Sequence, residues 1–199
     1  MLPTFQIFHR TIAMYGLMII IGIATGVSIA SFRSGRRNIP GEDVFFASCY
    51  AGIGLIIGAK LLYLITMLPE ILPNYKKLLS NPRLFLPLLA SGFVFYGGLL
   101  GAIGGYYLYC RRYHINFLNM LDIIAPSIPI IHGFGRLGCF FAGCCYGVPA
   151  HGLFHIIFHN SPVAPNGIPL FPIQLVESGL NFAAGVGLLL YARCPRRPG

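Results

Sequence analysis

The sequence predicts an all-α, polytopic membrane fold of about five transmembrane helices, and three observations carry that prediction. The 199 residues are 56% hydrophobic and only 10% charged, a balance too apolar for an ordinary water-soluble domain. Several windows reach the roughly 20 apolar residues that a bilayer-spanning helix needs. The basic residues gather just beyond particular windows, which is how membrane topology is written in a sequence.

In chain order, spans are expected at about 11–30, 44–68, 84–110, 117–141 and 172–192. The first is long for a signal-peptide core and has no small-residue cleavage site before its basic flank, so it is expected to stay in the protein. The fourth contains Pro126, Pro129, Gly133 and Gly135 and is expected to be irregular, because proline removes a helix donor and glycine disfavours the helix. Residues 69–82, "PEILPNYKKLLSNP", set apolar side chains beside lysines between prolines, which predicts a short interfacial helix. Residues 148–171 are too polar to span and too apolar for a free linker, and are expected to form a small head on the outer membrane surface. With no internal repeat and no soluble stretch of domain size, residues 1–199 read as a single integral membrane domain.

A net charge of +9 raises nucleic acid as a partner, and the placement of the charge excludes it. Arg33, Arg36 and Arg37 follow the first span, Arg111 and Arg112 the third, and Arg193, Arg196 and Arg197 the fifth, which accounts for eight of the 14 basic residues. The other side holds Arg10, Lys76, Lys77 and Arg83. By the positive-inside rule the amino terminus is outside and the carboxyl terminus cytoplasmic. A nucleic-acid site would need one basic soluble surface, whereas these clusters suit anionic lipid headgroups.

Ionisable groups inside a bilayer are costly and mark functional cavities. They are Lys60, Asp122, Arg136 and Glu177. Arg136 lies among Gly133, Gly135, Gly138 and Gly143, where an irregular backbone lining a cavity is expected. Its planar fork of donors suits a phosphate, so the stretch reads as a phospholipid headgroup pocket. The competing reading is an ion pair with Glu177 or Asp122 that ties helices together. Glu177 would also suit the positive end of a helix dipole, Asp122 a cap, and Lys60 either the interface or a headgroup.

Tyr15 and Tyr96 are phenols within spans, as interface anchors or as site residues. Gly97 and Gly98, directly after Tyr96, suit a cavity wall that a ligand approaches, while the glycines of the first two spans suit close helix packing. His132 is either a base near Arg136 or an ordinary hydrogen-bonding residue. His151, His155 and His159, at i, i+4 and i+8, would share one face of a surface helix, and no carboxylate joins them as a metal ligand. Of six cysteines, Cys49 and Cys110 fall in or at the end of spans and behave as small hydrophobes, and Cys194 falls at the cytoplasmic end. Cys139, Cys144 and Cys145 lack the C-x-x-C pairing of a structural zinc site. Neither metal nor cofactor is expected.

Four stretches, "MYGLMIIIGI", "YGGLLGAIGG", "APSIPIIHGFGRLGCFFAGCCYG" and "FPIQLVE", match in order and spacing the motifs of a known family: the chain resembles the bacterial prolipoprotein diacylglyceryl transferases over most of its length. The resemblance implies a multi-pass protein of the bacterial cytoplasmic (inner) membrane. It would transfer diacylglyceryl from phosphatidylglycerol, or another anionic phospholipid, to the lipobox cysteine thiol of a prolipoprotein and release glycerol phosphate. Carried over by motif, Arg136 falls on the headgroup-binding arginine and Tyr15 on the first-span tyrosine. Gly138, Gly143 and Gly147 fall on the signature glycines, and Gln174 and Glu177 on the last motif. Tyr96 stands where the family has a histidine often given a catalytic role, Cys139 where it has asparagine, Cys144 where it has glutamate and Val176 where it has tyrosine. The family's final span and late arginine have no counterpart within the 199 residues. Catalysis is therefore expected from Tyr96 and Arg136, with substrate held by Arg136, Tyr15, Gly97, Gly98, Gly138, Cys139, Gly143, Gln174 and Glu177. Two other readings stand beside it: a non-catalytic phospholipid-binding or accessory protein, and a transferase in which Cys139, Cys144 or Cys145 is the nucleophile.

Overall fold

A computed structural model describes residues 4–7, 10–80, 92–150 and 152–193. Residues 84–91 of the expected third span, Arg83, His151, Cys194, Arg196 and Arg197 lie outside the described residues, as do the side chains of Arg10, Lys76 and Lys77. The elements in order are strands β1 (Thr4–Ile7) and β2 (Arg10–Ala13), helix α1 (Met14–Ser34) followed by a single 3₁₀ turn, helices α2 (Gly41–Ser80), α3 (Phe95–Arg112), α4 (Phe117–Ile124) and α5 (Ser127–Ala142), strands β3 (Ile156–Ile157) and β4 (Pro169–Leu170), and helix α6 (Ile173–Tyr191).

This is an all-α polytopic membrane protein. Among the described residues, Met14–Arg37, Gly41–Pro73 and Ile173–Tyr191 are long and apolar enough to cross a bilayer, and α4 with α5 makes a fourth if that pair, bent by 43°, is one span. Large apolar side chains such as Ile20, Ile53 and Leu100 stand 66%, 59% and 69% exposed, an outward apolar surface that calls for lipid rather than water. The expected interfacial helix is not an element of its own: residues 69–80 continue α2, with Pro69 and Pro73 inside it.

The chain forms two compact units, residues 1–41 with 121–199, and residues 42–120. In the first, α5 packs between α1 and α6, and glycine makes both contacts close. A side chain at Gly26 of α1 would run into Ile131, and one at Gly133 of α5 would come within 2.8 Å of the Phe182 ring. Phe134 meets Phe182 edge to face at 5.2 Å. Ser178 Oγ donates to the Gly133 carbonyl at 3.0 Å, so α6 is pinned to α5 one turn before Arg136. Beyond the end of α1, Arg37 pairs with Asp122 at 2.9 Å and Arg36 donates to the Ala192 carbonyl at 3.2 Å.

In the second unit, α2 and α3 touch backbone to backbone. A Cβ at Gly54 would strike the Gly101 carbonyl, and one at Gly58 the Gly97 carbonyl. Small residues at matching positions permit this approach in a bilayer, where dispersion and polar contacts rather than water exclusion hold helices together. Tyr109 donates to Asp43 at 2.8 Å, and the hydroxyls of Ser48 and Tyr106 are bonded at 2.8 Å. Lys60 stands over the Tyr63 ring at 4.8 Å and the Phe93 ring at 5.6 Å, a cation–π arrangement.

The fourth span is broken, but not at its glycines. The break falls at Ala125 and Pro126, and α5 then runs as regular helix through Gly133, Gly135, Arg136 and Gly138. In water a glycine-rich stretch frays, whereas in a bilayer every open backbone group is penalised by several kcal/mol, more than the roughly 1 kcal/mol of propensity that a glycine costs, and the helix persists.

The segment after α5 is a small head. β3 and β4 pair antiparallel, Ile156 opposite Leu170, and Phe158, Ala164 and Leu170 form its buried core. The expected single helical face for the histidines is absent, because the described part of the segment is turns and short strand. His155 Nδ1 instead meets the Gly152 carbonyl at 2.7 Å. At the other end of the chain, β1 and β2 form an antiparallel hairpin with Thr4 opposite Ala13.

Candidate functional site

The site grows from the last turns of α5. Arg136 lies on the helix with its side chain 18% exposed, and its Nε is ion-paired with Oε2 of Glu177, which projects from the first turns of α6 and is 40% exposed. The pairing uses the inner nitrogen of the guanidinium. Among the described residues, its two outer nitrogens make no hydrogen bond. Arg136 lines a cleft of ≈ 660 Å³ whose other walls are the run 145–149, Phe171 and Ile173. A fixed cation in an otherwise apolar cleft can bind an anionic headgroup and admit the chains attached to it.

Two glycines set the packing around the arginine. Gly138 leaves room for Tyr15: a Cβ there would lie 3.1 Å from Cδ2 of that ring and 3.3 Å from Met18 Cβ. Tyr15 thus rests on the turn that bears Arg136. Gly147 allows the chain to cross Phe171, whose carbonyl a Cβ would strike. The crossing is held by Phe171 N–H donating to the Val148 carbonyl at 2.9 Å and Ala150 N–H to the Pro169 carbonyl at 3.0 Å.

α5 ends at Gly143, which takes a left-handed conformation at φ 69° and donates its N–H back to the helix. Glycine is the residue that adopts this without penalty. Here a side chain would also collide with Ser161 Oγ. The turn lets Cys144 N–H donate to the Cys139 carbonyl at 3.1 Å. Gln174, fully buried, donates from Nε2 to the Cys144 carbonyl at 2.9 Å. The first two turns of α6 therefore fix both the loop, through Gln174, and the arginine, through Glu177.

Of the predicted site residues, the structure joins Tyr15, Arg136, Gly138, Cys139, Gly143, Gln174 and Glu177 in one unit. Gly97 and Gly98 belong to the other and face α2, not a cavity: a Cβ on Gly97 would strike the Gly58 carbonyl, and one on Gly98 would touch Ala59 and Leu55. Tyr96, on the same turn of α3, is 70% exposed and packs edge to face on Phe95 at 5.7 Å. Its hydroxyl has no hydrogen-bond partner among the described residues. Asp122 is committed to Arg37 and not to Arg136. His132 is exposed on α5.

Sequence reasoning missed two features. One is Ser178, which no motif marks. The other is the convergence of Cys139, Cys144 and Cys145, whose sulfurs all lie within 4.8 Å of one another. The signal was present: a glycine directly after a helix implies a left-handed reversal, and Gly143 follows Cys139 by one turn. Burial, only partly opposed by the sulfur contact with Cys139, pushes the Cys144 thiol above its ordinary value. A thiol held protonated is a poor nucleophile, so Cys144 is not prepared as one.

The sequence that builds this arrangement matches one family over nearly its whole length. The profile described as prolipoprotein diacylglyceryl transferase matches residues 3–199. The chain belongs to the prolipoprotein diacylglyceryl transferase family. A phosphatidylglycerol–prolipoprotein diacylglyceryl transferase of Clostridium tetani is 38% identical over 98% of this chain and 75% of its own length. A second, from Clostridium perfringens, is 34% identical over 98% and 73%, and one from Rickettsia rickettsii is 35% identical over 94% and 70%. The match covers both units and the head, and with them the residues that line the cleft around Arg136.

Proposed function

We propose that this family member transfers the diacylglyceryl group of phosphatidylglycerol to the lipobox cysteine thiol of a prolipoprotein. The observation that carries the reading is Arg136, a cation with two unengaged outer nitrogens in an apolar cleft, on a chain that matches the family from end to end of its motifs. In the reaction the thiol sulfur bonds to the glyceryl carbon, the bond from that carbon to the phosphate oxygen breaks, and its electron pair leaves with glycerol phosphate. The thiol proton is balanced on the released phosphate. Negative charge grows on the leaving phosphate in the transition state, where a preplaced guanidinium acts most strongly. Glu177 holds the guanidinium by its inner nitrogen and leaves the outer pair for phosphate oxygens. Tyr15 packs against Gly138 on the same helix, and the apolar lining of the cleft disfavours water at the reacting carbon.

Incubating purified protein with phosphatidylglycerol and a lipobox peptide should add one diacylglyceryl mass to the peptide in thioether linkage. No mass shift, in conditions where the Clostridium tetani relative gives one, would overturn the proposal. Phosphatidylglycerol binding that depends on Arg136 without turnover would point to the accessory lipid-binding reading.

The same reading puts the protein in the bacterial cytoplasmic membrane with its amino terminus and head outside, supported by the basic clusters after the first, third and fifth expected spans. Cys145, exposed at the end of α5, should then react with an impermeant maleimide added to intact spheroplasts. Labelling only after lysis would invert the orientation.

A further inference from the structure

We propose that Cys139, Cys144 and Cys145 form a three-sulfur site for a thiophilic d¹⁰ cation, zinc(II) or copper(I). Their sulfurs lie within 4.8 Å of one another. A metal–sulfur bond of about 2.3 Å puts sulfurs about 3.8 Å apart in tetrahedral geometry and about 4.0 Å apart in trigonal geometry. The cluster is thus less than about 1 Å from ligating geometry, which side-chain rotation supplies.

The backbone is already arranged. Cys139 is in the last turn of α5, and the left-handed Gly143 reverses the chain. Cys145 itself sits at φ 53°, a conformation that costs a non-glycine residue on the order of 1 kcal/mol and that turns its side chain to the same place as the other two. The Gln174 bond to the Cys144 carbonyl fixes this loop from α6. Three thiolates carry more negative charge than either cation neutralises, and Arg136, one helical turn before Cys139, supplies positive charge on the same face. Cys145 also lines the cleft, so the open coordination position faces it. Three protein ligands with one open position is the pattern of a reactive rather than a purely structural metal. Among the described residues the alternatives are weaker: His155 and His159 join no such cluster, and Cys49 and Cys110 belong to the other unit.

The test uses full-length, detergent-purified, reduced protein titrated with cadmium(II) as the probe. A sulfur-to-cadmium charge-transfer band should grow and saturate at one equivalent, and zinc(II) or copper(I) should displace it. Peptide mapping should show that the bound ion protects Cys139, Cys144 and Cys145 of the wild-type chain from maleimide, a readout independent of any variant's folding. Losing a supporting contact to a ligand lowers metal affinity about 10- to 100-fold, and C139S, C144S and C145S, which remove a ligand itself, should each exceed that, with C49S unchanged. Absence of a saturating band, equal labelling with and without metal, or a disulfide joining two of the three in protein isolated without reductant would overturn the site.

Discussion

Arg136→Lys is expected to insert and fold as the wild type does and to lose phospholipid-dependent transfer. Lysine can still pair with Glu177, but an ammonium cannot offer one nitrogen to the carboxylate and two parallel donors to a phosphate. Losing a charge-assisted contact in a desolvated cleft costs on the order of 2–5 kcal/mol, which is roughly a 30- to 5,000-fold fall in turnover. The stability effect is expected to be much smaller. The lysine ammonium keeps the charge pairing with Glu177, so the tie between α5 and α6 is largely retained. Kinetics with phosphatidylglycerol, alongside thermal unfolding of Arg136→Lys, Arg136→Gln and the Arg136→Gln, Glu177→Gln pair, separates the two roles. If Arg136→Gln melts early, the second substitution restores it and lipid binding never changes, Arg136 is a helix tie.

Gly101→Ala should be the most damaging glycine-to-alanine change among the described residues. The new carbon would sit on the Gly54 carbonyl group and 3.1 Å from the Gly58 Cα. These are main-chain atoms, which cannot rotate aside as a side chain would. Overpacking typically costs 1–3 kcal/mol and sometimes more, against a total stability of about 5–15 kcal/mol. Gly104→Ala, three residues along the same helix with nothing within 4 Å, is the control. It should be neutral or gain up to about 1 kcal/mol of helix propensity. Equal melting of the two variants would show that α2 and α3 are not locked by backbone contact.

Much of this was legible in the sequence, because hydropathy and proline act locally. The apolar windows gave α1, α2 and α6, and Pro126 marked the break between α4 and α5. The glycines around Arg136 were misleading, since their cost was judged by propensity in water. In a bilayer Gly133 and Gly138 are contact points for Phe182 and Tyr15 within an intact helix. The Arg136–Glu177 pair was visible only as one of two possibilities, for the sequence does not say which acid faces the arginine; Asp122 turned out to be held by Arg37. Gly97 and Gly98 were assigned to a ligand because a glycine that admits a ligand and one that admits another helix look the same in a sequence. The histidine spacing failed for a related reason: a period of four has meaning only on a helix, and the head is built of turns and short strands.

The length of α2 has a consequence for the membrane around it. Its 40 residues rise about 60 Å, and the apolar part alone, Gly41–Pro73, reaches about 50 Å against a hydrocarbon thickness of about 30 Å. Some of that surplus must tilt or leave the hydrocarbon. The glycines that meet α3 all lie in its first half, while Pro69 and Pro73 each remove a backbone donor near its end. A thicker or thinner bilayer is therefore accommodated at the proline end, where the helix can turn along the surface, and the glycine-locked half keeps its depth as lipid composition changes.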